Sequence, residues 1–153
     1  MEGRYPRAVM ITLSDCTDEA HETALNRWYA ESFVPAVEAS PLVQSVRRYE
    51  NAYNSEPTFR GRPKYLTIAE VEHGDIEEAG RQLRTLYADV RSGHDAWELR
   101  RLDTLYGRIG PEFKSDRSER PVKFVYCGLV GCTDTSREDE WNRWYDDKHS
   151  PDA

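Results

Sequence analysis

Tyr65-Leu66-Thr67-Ile68-Ala69-Glu70-Val71 is the stretch on which the fold turns. Its residues alternate, Leu66 and Ile68 opposing Tyr65, Thr67, Ala69 and Val71, and the mix of β-branched and aromatic types predicts a strand. Apolar groups stand on both sides of it. Such a strand lies in a sheet whose two faces both need cover.

Working outward gives the neighbours. Upstream, an Asn/Ser/Pro/Gly-rich loop through Pro63 separates this strand from a second one over Val43 to Tyr49. Before that, Leu25, Trp28, Tyr29 and Phe33 fall on one helical stripe. Thr17 or Asp18 would cap that helix, and Pro35 and Pro41 bracket its end. Ala8 to Leu13 alternates around Val9, Ile11 and Leu13 as an opening strand. Downstream, His73-Gly74-Asp75 caps a helix carrying Ile76, Ala79, Leu83, Leu86, Tyr87 and Val90, and Gly93 closes it. Trp97 to Leu102 suits a short extra helix, and Thr104 to Ile109 a fourth strand. The order β-α-β-β-α-β is the ferredoxin-like split βαβ plan, an α+β fold with two helices on one face of an antiparallel sheet. The bare face then calls for a second sheet, and two sheets so joined close an α+β barrel around a lumen.

The opening strand and helix have an echo. Cys16-Thr17-Asp18, Asn26-Arg27-Trp28-Tyr29 and Pro35 recur as Cys132-Thr133-Asp134, Asn142-Arg143-Trp144-Tyr145 and Pro151, always 116 positions on and without a gap. A match that long and including a tryptophan points to a duplicated unit. The expected organisation is a complete unit over 1–113, a charged linker over 114–121, and the first strand and helix of a second, incomplete copy over 122–153. A lone strand and helix cannot form a core of their own. The chain is therefore expected to be part of a tandem repeat forming an intramolecular pseudo-dimer, or to complete itself in a homodimer.

Composition narrows the partners. A net charge of −7 lacks the clustered basic face that phosphate neutralisation requires, so nucleic acid is not an expected partner. No apolar run reaches the ~20 residues of a membrane span. Three cysteines, an odd number, suit a reducing cytoplasm better than a disulfide framework. Neither a metal knuckle nor a nucleotide or hydrolase motif is present, so no cofactor and no metal are expected.

The run Trp141-Asn142-Arg143-Trp144-Tyr145-Asp146-Asp147-Lys148-His149-Ser150-Pro151-Asp152 resembles the first-helix signature of the dimeric α+β barrel superfamily, and most nearly its EthD-like branch. The resemblance covers the strand–helix opening of both copies. It implies a ligand cavity between sheet and helices and a histidine facing it. Superfamily activities span cofactor-independent lyases, cyclases and isomerases, cofactor-free oxygenases and proteins without known activity. The first copy departs from the signature: Phe33 stands where the second has His149, and Ala36 where it has Asp152.

His149 is accordingly the expected catalytic acid/base, because imidazole gives and takes protons near neutrality. Asp146 and Tyr145, three and four residues earlier, share its helical face and would orient the ring and donate to a substrate carbonyl. The bland reading is an inert histidine at a helix C-terminus. Trp28, Tyr29, Phe33 and Trp144 are the expected substrate-contacting aromatics; equally, the tryptophans are the right size simply to anchor a helix on a sheet. The expected ligand is a small apolar or aromatic molecule. The competing expectation is a non-catalytic ligand-binding or oligomerisation domain.

Overall fold

The computed structural model describes residues 6–52, 62–108, 125, 127, 128 and 130–149. They divide into two compact units, one over Pro6–Arg108 and a second to which residues 125–149 belong. Strands β1 (Ala8–Cys16), β2 (Val43–Glu50), β3 (Tyr65–Val71) and β4 (Glu98–Gly107) make one antiparallel sheet in the order β2-β3-β1-β4. A helical run joins β1 to β2, passing from a 3₁₀ turn (Glu19–His21) through α1 (Glu22–Trp28) and a π turn (Tyr29–Phe33) to α2 (Val34–Glu38). Helix α3 (Ile76–Arg91) joins β3 to β4. This is an α+β fold with an open four-stranded sheet, in the element order expected.

Local chemistry sets the helix starts. Asp18 accepts a hydrogen bond from the Ala20 N–H at 2.9 Å, and Asp75 accepts one from the Glu78 N–H at 3.0 Å. Each satisfies an amide that the first helical turn leaves without a partner. Pro35 does not end the first helical run, which continues to Glu38. The π turn explains this: the Val34 N–H bonds back to the Tyr29 carbonyl, so the register has already changed where Pro35 brings no N–H.

The strand register arranges the helix-covered face in four cross-strand rows. Val43, Val71, Ala8 and Gly107 form the first, and Val46, Ala69, Met10 and Leu105 the second. These two are apolar, and they pack with Leu25, Trp28, Phe33, Val37, Ala79 and Leu83 as the core. The third row is Arg48, Thr67, Thr12 and Asp103, and the fourth Glu50, Tyr65, Ser14 and Arg100. Half of this face is therefore polar: Thr67, Thr12, Tyr65 and Ser14 on the central strands are buried, while Glu50, Asp103 and Arg100 on the outer strands are exposed.

On the other face, strand alternation places Val9, Ile11 and Leu13 beside Leu66, Ile68, Leu102 and Tyr106. The helices of this unit pack on the first face, as the core membership shows. Both sides of the sheet are thus apolar in part, as Tyr65–Val71 predicted.

The fourth strand differs from expectation. No helix forms over Trp97 to Leu102; a 3₁₀ turn (Asp95–Trp97) leads directly into β4, which begins at Glu98 rather than Thr104 and ends at Gly107 rather than Ile109. Pairing with β1 all the way to Cys16 recruits these charged residues, and a register shift at Leu13/Ser14 accommodates an irregular Arg100-Arg101. Tertiary pairing overrides local propensity here.

The second unit repeats the first locally. Its 3₁₀ turn (Thr135–Arg137), helix α4 (Glu138–Trp144) and π turn (Tyr145–His149) each stand 116 positions after their counterparts. Asp134 accepts from the Ser136 N–H at 3.0 Å as Asp18 does from Ala20, and Cys132 Sγ meets the Asp134 carbonyl at 3.1 Å as Cys16 meets that of Asp18 at 3.0 Å. Of the expected strand over 122–130, most positions lie outside the described residues.

Candidate functional site

The polar half of the sheet face and the side chains above it form a continuous hydrogen-bonded seam. Tyr29, placed by the π turn and only 1% exposed, donates its hydroxyl to Glu98 Oε1 at 2.5 Å. Glu98 opens β4 with its carboxylate turned inward, where Arg91 Nε lies 3.6 Å and Arg100 Nη1 3.4 Å from Oε2. Arg91, the last residue of α3, also pairs with Asp103 at 2.6 Å, and Asp103 accepts from the Thr12 hydroxyl at 2.6 Å. This run, buried at Tyr29, Glu98, Arg91 and Thr12 and open to solvent at Asp103, links the π turn, α3, β1 and β4.

A second run joins α1 to β2 and β3. The Arg48 guanidinium lies 3.7 Å from the centre of the Tyr29 ring and 4.0 Å from that of Tyr65. Cation–π attraction holds it against both rings. Glu22 accepts from both the Tyr65 hydroxyl and the Lys64 ammonium, while Asn26 Nδ2 donates to the Tyr65 oxygen at 3.1 Å.

These contacts fix protonation. Burial, reinforced by the Glu98 charge and hydrogen bond, pushes the Tyr29 phenol up to about 12. It therefore stays a donor at neutral pH. Hydrogen bonds from Lys64 and then Tyr65 hold the Glu22 carboxyl below its ordinary value, keeping it ionised. Burial pulls the Arg48 guanidinium down from its ordinary value. Burial also pushes the Tyr87 phenol up, so it too remains neutral. The hydroxyls of Ser14 and Tyr87 and the Nε of Arg91 are buried without a hydrogen-bond partner among the described residues. Burying so many polar groups where apolar ones would pack is costly, and such clusters concentrate at sites that act on other molecules.

The expected site residues fall in both units. Trp28, Tyr29 and Phe33 come together: the rings of Trp28 and Phe33 lie 4.9 and 4.7 Å from that of Tyr29, and Tyr87 meets Phe33 at 5.1 Å. In the second unit Tyr145 touches Trp141 at 4.8 Å and Trp144 at 5.6 Å. Trp144 is 50% exposed, against 7% for its counterpart Trp28. Asp146 is half-buried, and the backbone of His149 closes the π turn. The side chain of His149 lies outside the described residues. His94 is half-buried and stacks flat on Trp28 at 4.9 Å.

Sequence reasoning passed over Thr12, Glu22, Arg48, Arg91, Glu98 and Asp103. A signal existed for Arg48: it stands two residues after Val46, a charge on what the strand pattern makes the inward side. Among the described residues no three histidine, cysteine or acidic side chains gather as metal ligands do. The described cysteines are free. No helix among the described residues is long and apolar enough to cross a membrane.

No protein-family model matches the chain, and no curated protein matches it. Among solved structures, the crystal structure of HapK from Hahella chejuensis is similar, with a TM-score of 0.51 and 11% sequence identity. The match covers 71% of this chain and 98% of that one. At that identity the likeness is one of fold: an α+β chain with an antiparallel sheet.

Proposed function

We propose that the chain is a small-molecule-binding protein of the dimeric α+β barrel type, its ligand held in the seam between the helices and the polar half of the sheet. The observation that carries this reading is the pair of polar rows, Arg48/Thr67/Thr12/Asp103 and Glu50/Tyr65/Ser14/Arg100, lying on the helix-covered side. At the buried positions of these rows, Thr67, Thr12, Tyr65 and Ser14, a fold needing only a core would place apolar residues, as the two neighbouring rows do. The apolar opposite face is suited to meet a second sheet, in a partner copy or in a completed second unit of the same chain.

The catalytic form of this reading is a cofactor-independent lyase, cyclase or isomerase of the EthD-like kind, acting on an apolar or aromatic substrate. The 116-position repeat of 3₁₀ turn, helix and π turn supports a duplicated unit over 122–153 and aligns His149 with Phe33. Phe33 is fully buried in the first unit, its ring 5.1 Å from the Arg91 guanidinium. A histidine in the corresponding place of a completed second unit would look into that unit's own counterpart of the seam, with Tyr145 and Asp146 on its own helical turn. The non-catalytic form is favoured by the first unit itself, where that position is a phenyl ring.

A thermal-shift screen of aromatic ketones, phenols and acids tests the binding reading. At least one class should raise the melting temperature of the chain, and Thr67→Val should lessen that rise. A flat screen would contradict it. If turnover of any hit is found, His149→Ala should cut it by roughly 10²–10⁴, the usual worth of a general acid/base; unchanged turnover removes His149 from the mechanism.

A further inference from the structure

The charges of the seam are not equally matched. Lys64 pairs with Glu22 and with Glu50, Arg91 with Asp103 and Glu98, and Arg100 with Glu98. Arg48 differs: no carboxylate among the described residues forms an ion pair with it. Its polar contacts are neutral and long, Nη1 lying 3.5 Å from Thr67 Oγ1 and Nη2 3.3 Å from Asn26 Oδ1. The faces of the Tyr29 and Tyr65 rings pack against it, and its N–H groups, held only by those long contacts, are what it offers a ligand. A guanidinium offers such groups in the fork that matches a carboxylate.

We propose that Arg48 anchors the carboxylate of a small aromatic monocarboxylic acid, an assignment that rests on the seam being the ligand site. The seam's four cations equal its four carboxylates in number, and Arg48, the cation outside their ion pairs, suits one negative charge. A dianion would instead meet Glu22, Glu98 and Asp103, which already supply the other cations. Arg48 is half-buried, so it is reachable from solvent while still shielded enough for a charge pair to count. Ser14, paired across the strands with Tyr65, brings a buried hydroxyl with no partner among the described residues to the same end of the seam. It supplies a neutral donor for the ligand's polar atoms, and the Trp28, Tyr29 and Phe33 rings suit an aromatic body.

Benzoate and its neutral isostere benzamide separate charge recognition from simple aromatic binding. With the 153-residue chain, benzoate should move the Arg48 Nε–Hε resonance saturably and bind about tenfold or more tightly than benzamide, since charge-assisted bonds are roughly twice as strong as neutral ones. Arg48→Gln should erase that preference and leave benzamide unaffected. Equal binding of the two probes to seam residues would overturn the anchor while leaving the seam a ligand site. Failure of both probes to move any seam resonance would remove the two readings together. Circular dichroism reports whether the variant folds; should it not, the wild-type preference and the Arg48 resonance decide the matter.

Discussion

The hydroxyl of Tyr29, set by a π turn, and the carboxylate of Glu98, at the start of the last strand, meet at 2.5 Å inside the helix–sheet interface. The bond ties the first helical run to an edge strand 69 residues away. Tyr29→Phe removes a donor to a buried charge and should destabilise the fold by about 1.5–3 kcal/mol. Glu98→Ala leaves the Tyr29 hydroxyl without its buried acceptor while Asp103 still pairs with Arg91, and should likewise cost about 1–3 kcal/mol. Urea denaturation of both variants and their double mutant checks this. The cycle should show a coupling of at least ~0.5 kcal/mol, the scale for residues in one network.

The same bond predicts an alkaline limit. Tyr29 has its folded-state value near 12 against an ordinary 10, so between those values the unfolded chain has lost a proton that the folded chain keeps. Its contribution to stability is present in full below pH 10 and declines as pH rises towards 12. Ultraviolet difference titration should show a tyrosine fraction that ionises only with unfolding. Tyr29→Phe should flatten this part of the stability profile.

Glu22 acts at the other end of the scale. Its folded-state value lies below the ordinary 4.5 because Lys64 and Tyr65 bond to the ionised form. The stabilisation is present above pH 4.5 and is lost as pH falls through the folded-state value. Denaturation midpoints between pH 6 and pH 3 should therefore fall less steeply in Glu22→Gln than in the wild type.

Glycines 93 and 74 offer a control that depends on backbone alone. Gly93 follows α3 at φ +83°, a conformation that an L side chain adopts only under strain, whereas Gly74 has no such angle. Neither has an atom that an added methyl group would strike. Gly93→Ala should cost about 1–2 kcal/mol, and Gly74→Ala should leave the melting temperature nearly unchanged.

How far the sequence carried the fold depended on whether the signal was local. Tyr65–Val71 shows its two apolar sides in seven consecutive residues, and Asp18 and Asp75 stand beside the helices that they cap. The seam is another matter. Arg48, Thr67, Thr12 and Asp103 share a row only because three strand registers align them, and no window of sequence holds more than one of them. β4 was legible only from Thr104 onward, since Glu98, Arg100 and Arg101 look solvated until Tyr29, Arg91 and Asp15 are brought to them. Pro35 and Pro41 do bracket the helix end at Glu38, but the passage of the run through Pro35 depends on a π turn that no pattern of apolar residues announces.

The most direct measurement is a crystal structure of the chain with a compound that raises its melting temperature. Ordered density between α1 and the sheet, within hydrogen-bond reach of Arg48, Tyr65 or Thr67, is the predicted result. Density confined to the apolar face of Val9, Ile11 and Leu13, with the seam unchanged, would contradict it.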